Sequence, residues 1–236
     1  MNMKQVSIVF PVYNEENNLV VLYEKVKTAC HMTGVLYQMV FVDNGSKDAS
    51  LDILRELSRN DPQVKYISLS RNFGHQNALF AGLTYGEGDA VITMDADLQH
   101  PPSLIPEMIR LWREGNDVVY TFKESKSIPW LKRVVVKIFY KLMTKISGLE
   151  LHFGQSDFRL IDKKILNVIL TMPEYHKFLR GQIRWAGFKQ IGIPFAVEPR
   201  HSGESKFSFK DLFMFALDGL LGFSRYPLHV ITLIGL

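Results

Sequence analysis

Across residues 1–122, short apolar runs rich in β-branched residues alternate with longer amphipathic stretches. Val6–Val12, Gln38–Val42, Val64–Leu69, Ala90–Met94 and Asp117–Phe122 read as strands. Glu15–His31, Ala49–Arg59, Gln76–Tyr85 and Ser103–Glu114 read as helices, with Asp48 and Ser103 as expected N-caps and Pro106 in a first helical turn. Such alternation predicts an α/β sandwich, a mostly parallel sheet with helices on both faces. With 236 residues, 47% of them hydrophobic, the chain is long enough for one such core.

Beyond Phe122 the pattern changes. Trp130–Ile146 reads as a helix, Phe158–Ile161 as a short strand, Ile165–Thr171 and Phe178–Arg184 as helices, and Phe188–Val197 as extended. The single cysteine, Cys30, excludes an internal disulfide, fits a reducing compartment and falls in an apolar helical pattern that predicts burial. The opening Met-Asn-Met-Lys-Gln runs straight into a strand, without the pattern of a secretory leader. A net charge of +4 fits nucleic acid or anionic lipid, and its placement decides between them.

Ligands of open parallel sheets bind beyond the carboxyl ends of the strands. The first strand runs out into Pro11-Val12-Tyr13-Asn14-Glu15-Glu16 and the second into Asp43-Asn44-Gly45-Ser46. The third delivers Ser70-Arg71-Asn72 and the fourth Asp95-Ala96-Asp97-Leu98-Gln99. Each segment alone is compatible with an ordinary Asx turn, but four together form one acidic, hydrogen-bonding rim. Asp-x-Asp suits a hard divalent cation, Mg²⁺ or Mn²⁺, with Gln99 as a further oxygen donor. The seven histidines lack the spacing of a zinc site.

The segments 11–16, 43–48 and 95–102, with Arg71-Asn72-Phe73-Gly74-His75-Gln76 and Arg200-His201-Ser202-Gly203-Glu204-Ser205-Lys206, resemble glycosyltransferase family 2. Within it the chain is similar to the polyprenyl-phosphate glycosyltransferases, the group of dolichol-phosphate mannose synthases and bacterial undecaprenyl-phosphate glucosyltransferases. The resemblance implies a GT-A (Rossmann-like) fold and inverting transfer of a sugar from a nucleotide sugar to a polyprenyl phosphate at the cytoplasmic membrane face. It implies UDP-glucose as donor, with GDP-mannose or UDP-N-acetylglucosamine as alternatives. Pro11, Tyr13, Asn14, Glu15, Asp43, Asn44, Arg71, Asp95 and Ala96 would bind the nucleotide. Asp95, Asp97 and Gln99 would hold the metal. One departure is Asn44, which stands where the family commonly has a second acid.

A phosphate acceptor is largely ionised near neutrality, its second pKa being about 6, so positioning by cations matters more than a strong base. Arg200, Ser205 and Lys206 offer donors in a Gly-containing segment, and Arg133 joins this phosphate-binding set. Asp157 and Asp97 are the expected catalytic residues. Asp157 either orients the acceptor, acts as base, pairs with Arg159 or caps a turn.

Arg133, Lys137, Lys141 and Lys145 recur every four residues opposite an apolar face, which makes 130–146 a basic amphipathic helix suited to an anionic lipid interface. Residues 1–206 form the expected catalytic domain and 207–225 a juxtamembrane interfacial helix. Residues 226–236 read as the start of a truncated transmembrane segment, since a span needs about twenty residues. The apolar tail also offers a surface for homo-oligomer formation.

Three rivals fit less well. A nucleic-acid-binding or membrane-binding module leaves the acidic crevice unexplained. A nucleotidyltransferase would carry a Gly-rich basic loop after the first strand. A processive polysaccharide synthase would carry Gln-x-x-Arg-Trp, and Gln182-Ile183-Arg184-Trp185 is one residue short.

Overall fold

A computed structural model describes residues 4–123, 154–175 and 177–196, together with Thr232. Its elements run β1 (Gln5–Val12), α1 (Leu19–His31), β2 (Leu36–Asp43), α2 (Ser50–Asn60), β3 (Val64–Ser68), α3 (His75–Thr84), β4 (Ala90–Thr93), α4 (Ile105–Arg113) and β5 (Val118–Lys123). There follow β6 (Gln155–Asp162), α5 (Lys163–Leu170), α6 (Leu179–Trp185) and β7 (Gln190–Phe195).

Seven strands form one sheet in the order β3-β2-β1-β4-β6-β5-β7. All neighbours pair in parallel except at β6, which is antiparallel to both β4 and β5. The mostly parallel sheet expected from the alternation is therefore present. What the alternation did not reveal is that β6 threads between β4 and β5. The short strand expected at Phe158–Ile161 is eight residues long, Gln155–Asp162. Buried polar Ser156 and Asp157 interrupt its apolar pattern and hid its true start.

Side chains alternate between the two sheet faces. Val6, Ile8, Phe10 and Val12 pack with α1, α2 and α4 in one core cluster, while Val9 packs with α3, α5 and α6 in the other. Phe10 and Phe41 stack on adjacent strands at 4.6 Å, an arrangement worth about 1 kcal/mol beyond burial. Against the second face, α3 approaches so closely that a Cβ at Gly82 would lie 2.3 Å from Val9 Cγ1. Cys30 is buried, and burial pushes its thiol up to about 12, as its apolar surroundings predict.

The two expected N-caps differ from expectation. Ser103 does not cap a helix, because it lies inside a 3₁₀ turn, Pro102–Leu104, and α4 begins after Leu104 with no side-chain cap. Pro106 does fall in the first turn of α4. Asp48 sits one residue before the cap position of α2, where its carboxylate accepts from Ser50 N–H at 3.0 Å and from Glu16 N–H at 3.2 Å. From outside the cap position it holds the first N–H of α2 and ties that helix end to the loop after β1.

Candidate active site

Strand order reverses at β1: the chain moves outward through β2 and β3, then returns through α3 to place β4 on the other side of β1. Such a switch point opens a crevice between the carboxyl ends of the two strands. The turn after β1 and the Asp95–Gln99 turn after β4 therefore flank it.

On the β1–β3 side, the loops are cross-tied by short polar side chains. Asn14 takes φ +54°, uncommon outside glycine but tolerated by Asn. Its N–H donates to Ser46 Oγ at 2.9 Å and its Oδ1 accepts from Lys47 N–H at 2.8 Å. Glu15 N–H donates to Ser50 Oγ, and Ala49 N–H to Glu16 Oε2. These contacts commit residues 14–18 to a turn, so α1 begins at Leu19 rather than Glu15. Tyr13, Asn14 and Glu15 are half-buried, Pro11 is buried and Arg71 is exposed.

Asp43 ends β2 almost fully buried, its Oδ1 accepting from Ser46 N–H at 3.3 Å. Asn44 uses both ends of its amide: Nδ2 donates to Asn72 Oδ1 at 3.0 Å and Oδ1 accepts from Phe73 N–H at 2.9 Å. A carboxylate could not make the first of these bonds. The asparagine thus fastens the β3–α3 loop, a role that suits an amide at a position where an acid is common in the family. Gly45, at φ +71°, lets that loop close in, since a Cβ there would lie 2.6 Å from the Arg71 carbonyl carbon. Arg71 itself lies over the Phe73 ring at 4.1 Å.

On the β4 side, Asp97 Oδ1 accepts from Gln99 N–H at 3.1 Å, closing an Asx turn. Leu98, buried within this turn, is held at φ +61°. Such a conformation stores about 1–3 kcal/mol in a non-glycine residue. Asp97 and Gln99 remain half-exposed, and Ala96 is buried. Asp95 is engaged differently. Its Oδ1 meets His75 Nε2 at 2.7 Å, and His100 Nδ1 stands 3.4 Å from its N–H. His100 is buried between Phe158 and Phe195, and its Nε2 meets Ser156 Oγ at 2.5 Å.

The β4–β6 register puts Thr93 opposite Arg159. Continued by two residues, it sets Asp157 level with Asp95, so the antiparallel strand delivers a third acid to the same crevice. Thr93 Oγ1 donates to the Asp157 carbonyl, pinning the strands together there. Asp157 is 7% exposed. Its carboxylate is forked by Arg180, from Nε to Oδ1 at 2.9 Å and from Nη2 to Oδ2 at 3.0 Å. Arg159, the partner considered from sequence, stands farther off at 3.7 Å.

The charges explain one another. Burial would raise the Asp157 carboxyl, but Arg180, Arg159 and His75 overturn this and hold it well below the usual carboxylate range. Burial pushes the Arg159 guanidinium down to about 10, with Asp157 opposing the change. Burial would likewise lower His75, yet the Asp95 and Asp157 carboxylates lift it to about 9, so it is an imidazolium at neutral pH. Burial would raise Asp95, and His75 with His100 pulls it to about 2. His75 and Asp95 lie deep in the crevice but keep about a third of their surface open, 32% and 34%. Burial pushes His100 below its ordinary value.

Asp95, Asp97, Gln99 and Asp157 thus gather at one crevice, whose other wall carries Pro11, Tyr13, Asn14, Glu15, Asp43, Asn44 and Arg71. Arg133, Arg200, Ser205 and Lys206 lie outside the described residues, as do the 130–146 helix, the 207–225 segment and, apart from Thr232, the segment 226–236. Among the described residues no helix is long and apolar enough to cross a membrane. His75, Gln76, His100 and Arg180 had no assigned role from sequence alone. A signal existed for His75 and Gln76, which follow the quoted Arg71-Asn72-Phe73-Gly74 at a helix start. None marked Arg180.

A family model for glycosyl transferase family 2 matches residues 7–170. An uncharacterised glycosyltransferase of Synechocystis sp. is 40% identical over 232 residues, 98% of this chain and 73% of that protein. The bactoprenol glucosyl transferase of Shigella phage SfV is 39% identical over 233 residues, 98% of this chain and 76% of that protein. Among solved structures, glucosyl-3-phosphoglycerate synthase from Mycobacterium tuberculosis, in complex with Mn²⁺, UDP and phosphoglyceric acid, superposes with a TM-score of 0.67. That match covers 93% of this chain and 78% of that one at 17% identity, a likeness of fold: the GT-A-like α/β sandwich.

Proposed function

Because this chain belongs to glycosyl transferase family 2, we propose that it transfers glucose from UDP-glucose to a polyprenyl phosphate, with inversion, at the cytoplasmic face of a membrane. The observation that carries the reading is the convergence of the Asp95–Gln99 turn and the Asp157–Arg180 pair on one crevice at the strand-order switch. It is supported by relatives named bactoprenol glucosyl transferase that align along 98% of the chain. It is supported also by a fold shared with an enzyme crystallised with Mn²⁺ and UDP-glucose.

In this reading the β1–β3 wall takes the nucleotide. Pro11, Tyr13, Asn14, Glu15, Asp43, Asn44 and Arg71 line the base and ribose, with Asp95 and Ala96 at the far edge. The Asp97 turn fits a hard cation, because carboxylate and amide oxygens lie half-exposed on one tight loop. Mg²⁺ or Mn²⁺ would be held by Asp97, with Gln99 and Asp95 beside it. Among the described residues no three acidic, histidine or cysteine side chains enclose a site, so donor phosphates would complete the coordination. When bound, such an ion neutralises charge on a departing diphosphate.

The chain's own groups supply the rest. His75 is cationic and fixes Asp95 from the side. A lone pair of the acceptor phosphate forms the new bond to the anomeric carbon, while the bond to the diphosphate oxygen breaks and its electrons leave with the diphosphate. No proton moves in that step if the acceptor is already a dianion. Arg133, Arg200, Ser205 and Lys206 are assigned to phosphate binding, and the basic segment 130–146 with the apolar segment after residue 207 to the membrane surface.

The test is direct. Full-length protein in vesicles with undecaprenyl phosphate and Mn²⁺ or Mg²⁺ should form glucosyl lipid from UDP-glucose in preference to GDP-mannose or UDP-N-acetylglucosamine. No glycolipid with any donor would overturn the reading.

A further inference from the structure

In the reading above Asp157 stands on the acceptor side, yet both its oxygens are already engaged. Arg180 forks onto them, and its Nη1 also donates to the Gln155 carbonyl at 3.1 Å on the same strand. A further donor arrives from α3: Gln76 Nε2 reaches Asp157 Oδ2 at 3.2 Å. The other end of that amide, Oε1, accepts the N–H of Leu179 at 3.1 Å, at the first residue of α6. One glutamine therefore holds both the carboxylate and the helix that carries the arginine. Among the described residues, the other titratable groups that act on Asp157 are Arg159 on its own strand, His75 on α3, and Asp95 and His100 beyond β4. Paired N–H···O⁻ bonds are strong and directional, and with the Gln76 bond they occupy three of the carboxylate's about four lone-pair positions.

We propose that Arg180, seated by Gln76, is a positioning residue that keeps Asp157 a fixed, ionised anchor for the acceptor side and denies it the role of proton acceptor. The inference rests on the reading above, in which an ionised phosphate acceptor brings no proton to remove. The two roles predict opposite outcomes when the arginine is lost. Without Arg180 the Asp157 carboxylate gains proton affinity, since less positive charge faces it. A base would improve at alkaline pH, whereas an anchor would lose its orientation at every pH.

The experiment compares kcat and KM of the full-length protein in vesicles from pH 6 to 9 for wild type, Arg180→Gln, Arg180→Lys and Gln76→Ala. Arg180→Gln should lower kcat about 100-fold across the range, leaving KM for the nucleotide sugar unchanged. Arg180→Lys, which keeps the charge but not the fork, should recover about tenfold of that loss. Gln76→Ala should cost kcat about tenfold. Turnover by Arg180→Gln at or above wild type near pH 8–9 would overturn the proposal, as would a matching rise in donor KM. Should Arg180→Gln not melt cooperatively, Arg180→Lys decides: reduced kcat with intact melting supports the proposal, and wild-type kcat overturns it. A wild type that forms no glycolipid at all removes the parent reading, and this inference with it.

Discussion

Two elements on one side of the crevice, the turn after β4 and strand β6, hold their acids in different ways. On the β4 turn, Asp97 sits half-exposed, its Oδ1 accepting the Gln99 N–H two residues away. On β6, Asp157 is 7% exposed and ringed by Arg180, Arg159, Gln76 and the Thr93 bond to its carbonyl. An acid on a turn can be removed without disturbing what lies beneath it. A buried acid that compensates two guanidinium groups cannot. Function and stability are therefore separable on the β4 turn and joined on β6.

The comparison breaks most visibly under substitution of the two acids. Asp97→Ala should lower glycolipid formation by about 10³-fold, several kcal/mol of transition-state stabilisation, while unfolding free energy falls by only about 1 kcal/mol, the worth of the lost Asx-turn hydrogen bond. Asp157→Ala should lower turnover too, but also cost about 3 kcal/mol in denaturant unfolding, because it strands Arg159, which is 2% exposed, without its partner. Equal stability for the two variants would erase the distinction.

The loops of the nucleotide wall offer a finer test. A Gly45→Ala side chain would meet the Arg71 backbone in a left-handed conformation, a strain of about 1–3 kcal/mol. The Asp43–Ser46 turn should shift, raising KM for the nucleotide sugar more than it lowers kcat. Kinetics with that variant check whether this wall binds the donor. The smallest effect concerns pH. Asp95, depressed from 3.8 to about 2, adds stability that is present above 3.8 and lost as pH falls toward 2. His75, raised from 6.5 to about 9, adds stability that is whole below 6.5 and fades as pH rises through 9. Melting temperature should thus be flattest between pH 4 and 6.5. Asp95→Asn should remove most of the alkaline decline, a modest change because both side chains keep contact with solvent.

Legibility in the sequence follows the same division. The first four strands and the turns after them could be read because each turn's chemistry is local: Asn14, Asp43 with Gly45, and Asp95 with Asp97 stand next to the runs they terminate. The place of β6 could not, since its neighbours β4 and β5 are chosen by long-range pairing and its buried Ser156 and Asp157 mimic a loop. Arg180 escaped notice for a related reason. Its partner lies 23 residues away on another element, and nothing adjacent to it marks the pairing. His75 was within a quoted motif, but only the geometry brings its imidazole to Asp95.

Calorimetric binding of UDP in the presence of Mn²⁺ to wild type, Asp97→Ala and Arg180→Gln tests the central claim most directly, that in one crevice Asp97 serves the donor and the Asp157–Arg180 pair serves the acceptor. Asp97→Ala should lose most of the binding, and Arg180→Gln should bind like wild type while remaining impaired in turnover. Wild-type binding by Asp97→Ala, or an equal loss in both variants, would contradict the account.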